Sequence, residues 1–289
     1  MNLRVKFNLV VFATFAVCFL AVALLLYQVF VGYARDQVLQ NARIMMTSAN
    51  AIREYTASEL TSLLPIEFHG KFVAETVPAY AAQKNFKHFQ SVMPGYSYRE
   101  PALNPTNLTD RALDWEGDII EEFRNDPAKQ ELVSERDTPD GRMLNLSRPI
   151  SVTKEVCLEC HSVPAAAPAA LTETYGTTNG FGWKLNDTVG AQIVSVPMTI
   201  PLKFARDAYV KFLIGSLGVA AIVAVILNVL LHYLVIAPAK RLTKMADAVS
   251  LGEEDVESYV KPGRDEISSL SVSFNRMRES LRLAMGMTN

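Results

Sequence analysis

Cys157-Leu158-Glu159-Cys160-His161 holds two of the three cysteines in this chain of 289 residues. Two thiols separated by two residues and followed directly by histidine form the signature of covalent haem attachment. The thiols make thioethers to the vinyl groups, whose separation the spacing matches, and the adjacent imidazole binds the iron. C-x-x-C also opens many zinc sites, but a structural zinc needs four ligands. The third cysteine, Cys18, lies inside a long apolar run. Zinc would have to recruit His161 and a distant His69 or His88, with no second paired motif to close the tetrahedron. A disulfide redox pair wants a thioredoxin-like strand-to-helix context, which these flanks lack. The residues point to one haem c, anchored by Cys157 and Cys160, with His161 on the iron.

Outward from the motif, the apolar residues are concentrated. Hydrophobic residues make up 49% of the chain and charged ones 20%, and the mean hydropathy is +0.13. That distribution excludes a uniformly soluble globule. A net charge of −2 offers no basic field for nucleic acid. Ordinary glycine and proline counts and three cysteines exclude disordered, collagen-like and disulfide-scaffold classes. Phe7 to Ala34 contains 28 positions without a charge, and Phe212 to Ala239 has His232 as its one ionisable group. About 20 apolar residues cross a bilayer as a helix, so two crossings are expected. The first run is too long for the apolar part of a signal peptide and no small-x-small site follows it, so it reads as an uncleaved anchor.

Positive charge does not orient the pair. Arg4, Lys6, Lys240, Arg241 and Lys244 on the terminal flanks balance Arg35, Arg43, Lys203, Arg206 and Lys211 on the loop flanks. The motif decides instead, because haem is attached to such cysteines outside the cytoplasm. The expected layout is a cytoplasmic N-terminus (1–6), a first span (7–34), a periplasmic domain (35–207), a second span (212–236) and a cytoplasmic module (237–289). This is a two-pass protein of a bacterial inner membrane with both termini inside. A bacterial setting also argues against reading Asn107-Leu108-Thr109 as a glycan acceptor.

Within the exported region, Val38, Ala42, Met45, Ala49, Ile52 and Thr56 recur at spacings of four and three, an apolar helical seam continuing from the first span. It can pack on its own domain or on a second copy. Phe72 to Met93 predicts a helix stopped by Pro94-Gly95. Ala112, Trp115, Ile119 and Phe123 mark another, capped by Thr109 or Asp110 and stopped at Asp126-Pro127. Glu131 to Arg136 and Arg142 to Val152 flank Thr138-Pro139-Asp140-Gly141, which predicts a hairpin. Ala191 to Met198 adds a strand. Val163 to Ala170 and Tyr175 to Trp183 read as loops around the cofactor. In them Gly180 and Gly182 permit close approach, and Phe181 and Trp183 can pack on a flat ligand. The class is α/β in the α+β sense, a small antiparallel sheet beside helices.

Tyr98-Arg99-Glu100-Pro101-Ala102-Leu103-Asn104-Pro105-Thr106-Asn107, with Cys157 to His161 and Asn179-Gly180-Phe181-Gly182-Trp183, resembles the family of exported haem-c sensor domains of PAS-like fold. The resemblance covers roughly Arg35 to Met198. It implies Cys157 and Cys160 as covalent haem anchors and His161 as the proximal axial ligand. The distal ligand differs among members, with cysteine, methionine or water as possibilities. A cysteine is excluded here, because none remains outside the motif and the membrane. His69, His88, Met45, Met46 and Met93 are the protein candidates. His69 is placed first because it precedes the helix that lies near the haem in this family. A water-bound open site stands beside it and favours gas sensing. Arg99, Arg148 and Lys184 are candidate partners for haem propionates.

After the second span, Val235, Pro238, Leu242, Met245 and Val249 keep a 3-4 spacing. Ile267, Leu270, Phe274, Met277 and Leu281 resume it beyond a Gly252 to Gly263 connector. With Pro238 at the entrance, Asp265-Glu266-Ile267 and Phe274-Asn275-Arg276-Met277, this resembles a HAMP module. HAMP modules are parallel four-helix bundles of two chains, so the resemblance implies a homodimer. The expected function is a membrane-bound haem-c sensor of redox state or a diatomic gas, not an enzyme. It relays a signal through the bilayer to a separate cytoplasmic or membrane output partner, since the chain reaches Asn289 straight after the bundle; a truncated product is the other reading of that ending. The competing expectation is a membrane-anchored c-type cytochrome carrying electrons between quinol and a soluble acceptor.

Overall fold

The computed structural model describes residues 2–253 and 256–284. The end of the expected cytoplasmic module, 285–289, and residues 254–255 of its connector lie outside the described residues. Contacts divide the chain into two units, one of residues 28–208 and one of 1–27 with 209–289.

In the first unit, helix α1 (Leu3–Tyr55) enters with its seam inward, then passes through a π-helical turn (Thr56–Leu60) and a short α2 (Thr61–Leu63). Leu64 is extended, as the residue before Pro65 must be, and the helix ends there. A small hairpin follows, β1 (Glu67–Phe68) and β2 (Lys71–Phe72), then α3 (Pro78–Val92), β3 (Ser97–Arg99) and α4 (Asp114–Asn125). Next come β4 (Leu132–Thr138), β5 (Gly141–Ser151), α5 (Val156–His161), α6 (Ala169–Tyr175) and β6 (Thr188–Pro197). The main sheet is antiparallel throughout, in the order β3-β6-β5-β4.

Strand periodicity places two cores on the two faces of this sheet. Leu144 pairs with Val196 and Leu146 with Val194. These four, with Tyr98, pack against Val38, Ala42, Met45, Met46 and Ala49 of α1 and Ala82 and Phe86 of α3. Ala191 and Ile193 face the other way, onto Ile119, Ile120 and Phe123 of α4. The seam on α1 is therefore spent on its own domain, which decides between the two partners open to it from sequence.

Several boundaries shift for local reasons. The helix expected from Phe72 begins at Pro78 instead, because proline is tolerated at the first helical position and not inside. Asn107 caps only a short 3₁₀ turn, Leu108–Asp110; α4 opens later, where the Glu116 carboxylate accepts the Leu113 N–H at 2.9 Å. The hairpin forms as expected, closed by Pro139-Asp140 between Thr138 and Gly141, with Gly141 at φ +112°.

Two carboxylates, Glu135 on β4 and Glu131 just before it, tie α1 to β5. Glu135 lies 2.7 Å from both Arg35 and Arg142, and Glu131 lies 2.9 Å from both Arg43 and Arg148. The Arg35 hydrogen bond, aided by Arg142, holds the Glu135 carboxyl below its ordinary range. At Glu131 burial pushes upward, but the bonds from Arg43 and Arg148 outweigh it. Both folded values lie below the unfolded ones. The contribution is therefore complete above about pH 4.3 and is lost as pH falls through the folded values. The arginines are partly solvated, so each link is worth ~0.2–1 kcal/mol. Acid titration of stability should steepen below that pH, and Glu135→Gln should flatten the slope; an unchanged slope contradicts the assignment.

Among the described residues two helices are long and apolar enough to cross a membrane, and the second unit holds 3–27 of one and 209–250 of the other. Continuous helix runs over Leu3–Leu63 and Thr199–Ser250, with 18-residue windows of mean hydropathy 3.0 and 2.6. The latter comprises α7 (Thr199–Leu231), a π-helical turn (His232–Ile236) and α8 (Ala237–Ser250). Asn228 Nδ2 donates to Asn8 Oδ1 at 2.8 Å, and Tyr209 Oη donates to the Ala23 carbonyl at 3.1 Å. Polar pairs between spans average about 0.6 kcal/mol in double-mutant cycles. An Asn8→Leu, Asn228→Leu cycle should return a coupling of that order, and a coupling of zero overturns it. Beyond the connector, α9 (Glu266–Ala284) begins with Asp265 accepting from Ser268 N and Oγ at 2.7 Å each. Ser268 and Ser271 are buried, and Ser271 Oγ accepts the Lys261 N–H at 3.0 Å, pinning the connector to α9.

Candidate cofactor site

Helix α5 explains the spacing of the motif. Positions i, i+3 and i+4 share one helical face, so Cys157, Cys160 and His161 project together. The helix starts from a turn in which Cys157 N–H donates to the Lys154 carbonyl at 3.2 Å and Leu158 N–H to that of Glu155 at 2.8 Å. Both motif cysteines are free thiols and half-buried. Burial first, then Glu159 and Cys157, pushes the Cys160 thiol up, so it is held protonated at neutral pH.

The glycine-rich loop is zipped onto the end of this helix. Trp183 N–H donates to the His161 carbonyl at 3.2 Å and Gly182 N–H to that of Ser162 at 2.9 Å. The Trp183 ring stacks on the His161 imidazole, centroids 3.9 Å apart and planes 12° from parallel. His161 Nδ1 lies 2.8 Å from the Gly180 carbonyl oxygen. A carbonyl only accepts, so Nδ1 carries the hydrogen and Nε2 keeps its lone pair, the arrangement that orients a metal-ligating histidine. Burial lowers the His161 pKa against the opposing Gly180 bond, favouring the neutral, ligating form.

Gly180 is required twice over. Its φ is +81°, and a Cβ there would meet Thr106 Oγ1 at 2.0 Å and Thr106 Cα at 2.8 Å. Thr106 belongs to the Tyr98 to Asn107 run and its Oγ1 lies 3.4 Å from His161 Nδ1, so all three sequence runs singled out above meet at this point. The same run crosses β6 where Gly190 leaves space: a Cβ on Gly190 would meet the Pro101 carbonyl oxygen at 2.5 Å.

Two adjoining cavities lie beside the elements that hold the motif, one of them bordered by the Trp183 that stacks on His161. One, of about 450 Å³, is lined by Phe181, Gly182, Trp183, Asn104 and Arg124 among others. The other, of about 510 Å³, is lined by Arg53, Lys129, Ile150, Thr153 and Gln192 among others; Pro127, Asn186 and Thr188 border both. Among the described residues no three His, Cys, Asp or Glu side chains come together as a metal site. Two thiols, an imidazole with its second nitrogen committed, and neighbouring cavities with apolar and cationic walls fit a covalently attached haem.

Other candidates are scattered. His69 stands in the exposed turn between β1 and β2 at φ +51°, its ring edge-on to Phe68, and Phe72 of the same hairpin packs on Tyr175 of α6. His88 and Met93 are exposed, whereas Met45 and Met46 are core residues under the sheet. Arg148 is paired with Glu131, Arg99 lies 3.5 Å from buried Glu116, and Lys184 is exposed. The cavity wall instead carries Arg53, a residue the sequence reading passed over because it lies beside the seam of α1 rather than in a motif.

Residues 31–197, more than half of the chain, match the Tll0287-like family. The chain belongs to the Tll0287-like family. Residues 230–283 match the HAMP domain, so this Tll0287-like protein joins the two modules in the order expected from sequence. The crystal structure of the cyanobacterial heme-protein Tll0287 aligns at 19% identity and a TM-score of 0.44, over 56% of this chain and 95% of that one. No curated protein sequence matches the chain.

Proposed function

We propose that this Tll0287-like protein is a two-pass sensor of a bacterial inner membrane. Its periplasmic domain, 35–207, holds one haem c through Cys157 and Cys160 with His161 on the iron. A redox or diatomic-gas signal passes to the cytoplasmic HAMP module of a homodimer, 237–289, and from there to a separate output partner. The observation that carries the reading is the His161 Nδ1 contact with the Gly180 carbonyl, on a helix that turns both thiols to the same face. The family's namesake is described as a heme-protein, which supports the same cofactor.

Haem bound in this way supplies a one-electron couple and a coordination position for a small gas. The chain supplies the rest. Gly180 and Trp183 fix the imidazole plane, and the loop bonds to His161 and Ser162 hold the loop against the end of α5. α1 lies on the sheet whose strands β5 and β6 border the larger cavity, so a change there reaches a helix that also contains the first span. A signal shifts the HAMP packing only by the difference in its free energy between the two states.

Optical spectra of oxidised and reduced full-length protein, from cells that mature c-type haem and with or without carbon monoxide, test the reading. Absence of a c-type spectrum ends it. His69 is the sixth-ligand candidate of this proposal: His69→Ala should convert a six-coordinate low-spin spectrum to a high-spin one. No change assigns the position to another group or to water. Fusing 1–283 to a HAMP-coupled kinase should give output that follows reductant or gas; rapid quinol turnover without output favours the electron carrier.

A further inference from the structure

Arg53 and Asn50 stand one turn apart near the end of α1, and both enter a buried polar circuit. Arg53 pairs with the Glu100 carboxylate, whose side chain is 2% exposed. Glu100 Oε1 accepts from Tyr98 Oη at 2.7 Å, Tyr98 Oη accepts from Gln192 Nε2 at 2.9 Å, and Gln192 Nε2 also donates to Asn50 Oδ1 at 2.7 Å. Gln83 Oε1 accepts the Glu100 backbone N–H at 3.3 Å, which ties that residue's main chain to α3. Two residues of α1 are thus joined to β3, β6 and α3 by polar bonds rather than by apolar contact.

A buried ion pair is a poor device for stability, because desolvating both charges cancels much of their attraction and an apolar pair of like volume does as well. Its position suggests another use. Arg53 and Gln192 line the larger cavity, together with Ile150 and Ser151 at the end of β5 and Thr153 beyond it, four residues before Cys157. Glu100 is not among the lining residues; it stands behind the guanidinium. The positive member of the pair faces the cavity and the negative member faces the protein. Burial that opposes the Arg53 charge is outweighed by Glu100 and its neighbours, so the guanidinium stays charged.

We propose that Arg53 and Glu100 form a charge pair that sets the reduction potential of the iron and carries the iron's charge state to α1. The proposal rests on haem c being attached at Cys157 and Cys160. Reduction takes one electron from an external one-electron donor, turns ferric iron to ferrous, and makes or breaks no bond in the pair. The site then carries one positive charge less. Arg53 is then repelled less from the cavity while its attraction to Glu100 is unchanged, so its balance shifts toward the cavity, and its backbone is α1. The coupling is reciprocal: whatever biases Arg53 through α1 must also bias the iron.

The test is an equilibrium redox titration of full-length holoprotein with mediators. Arg53→Gln removes a cation that favours the ferrous state and should lower the midpoint potential. Glu100→Gln removes an anion that favours the ferric state and should raise it. Each should change the oxidised-to-reduced ratio at fixed ambient potential about tenfold, or about 59 mV for one electron. Arg53→Lys should remain near the wild type. The double variant Arg53→Gln, Glu100→Gln, which leaves no buried charge unpaired, should fall between the singles and covers the case in which Arg53→Gln does not fold.

Hydrogen exchange of residues 46–60 should differ between oxidised and reduced wild type and lose that difference in the double variant. Covalent haem with both single variants unmoved, or both shifted in one direction as general loosening would do, overturns the proposal while leaving the sensor reading intact. Redox-dependent exchange that persists in the double variant overturns the link to α1. Wild-type protein without covalent haem overturns both.

Discussion

Full-length protein carrying Cys157→Ser and Cys160→Ser together is expected to lose all pigment on denaturation, while each single variant keeps a fraction. A thioether needs sulfur, and a serine hydroxyl neither adds to a vinyl group nor coordinates iron strongly. The two thiols sit three residues apart on one helical face, so each single variant retains one bond in nearly the native direction. His161→Ala should behave differently. Attachment survives because both sulfurs remain, but the imidazole held by the Gly180 carbonyl at 2.8 Å is gone, and the ferrous spectrum should lose its nitrogen-ligated signature. The measurement is haem-stained denaturing electrophoresis with pyridine haemochrome spectra of the native protein. Pigment that survives the double substitution would place the cofactor elsewhere in the chain. Zinc as the true ligand predicts no pigment in any variant, so the alternatives separate in one gel.

Much of this architecture was legible because it is written in strong periodicities. Val38, Ala42, Met45 and Ala49 follow a helical repeat, and all four are buried against the sheet. Thr138-Pro139-Asp140-Gly141 names its own turn. Other elements were hidden by composition. Ala169–Tyr175 follows an Ala/Pro-rich stretch that reads as loop, yet Pro168 precedes the helix and Gly176 at φ +81° ends it, each where it does no harm. The hairpin Glu67–Phe68 with Lys71–Phe72 has two-residue strands, too short for any alternation to show. α5 is a turn and a half of helix, below the length at which periodicity carries information.

The site divides in the same way. The proposed covalent chemistry sets its own spacing, so Cys157, Cys160 and His161 stand out as candidates from the sequence alone. Gly180 was visible as a glycine where backbone must come close, although the partner it approaches, Thr106, is 74 positions away along the chain. The circuit of Arg53, Glu100, Tyr98 and Gln192 was not visible. Its members are separated by 47, 2 and 94 positions, and none has a neighbour that announces it. Only tertiary contact distinguishes Arg53 from the arginines at 35 and 43, which pair at the partly solvated edge with Glu135 and Glu131.

Gly180→Ala is expected to destabilise the Tll0287-like domain by ~2–6 kcal/mol and to disturb the proposed iron ligand at the same time. Two costs add. A non-glycine residue held at φ near +80° costs about 1–3 kcal/mol. Overpacking costs about 1–3 kcal/mol more, because the new Cβ would start 2.0 Å from Thr106 Oγ1. Relief by moving the loop is opposed by the bonds from Gly182 to Ser162 and from Trp183 to His161, at 2.9 and 3.2 Å. Whatever movement does occur carries the Gly180 carbonyl away from Nδ1, freeing the imidazole to rotate off its stack with Trp183. Adding Thr106→Ala removes the hydroxyl but not the Thr106 Cα at 2.8 Å, so rescue should be partial. Chemical denaturation of the solubilised full-length protein, followed in the Soret band and by far-ultraviolet circular dichroism, measures both effects. A Gly180→Ala protein of wild-type stability and spectrum would mean that the loop is not held against Thr106, and the orientation of His161 would then need another cause.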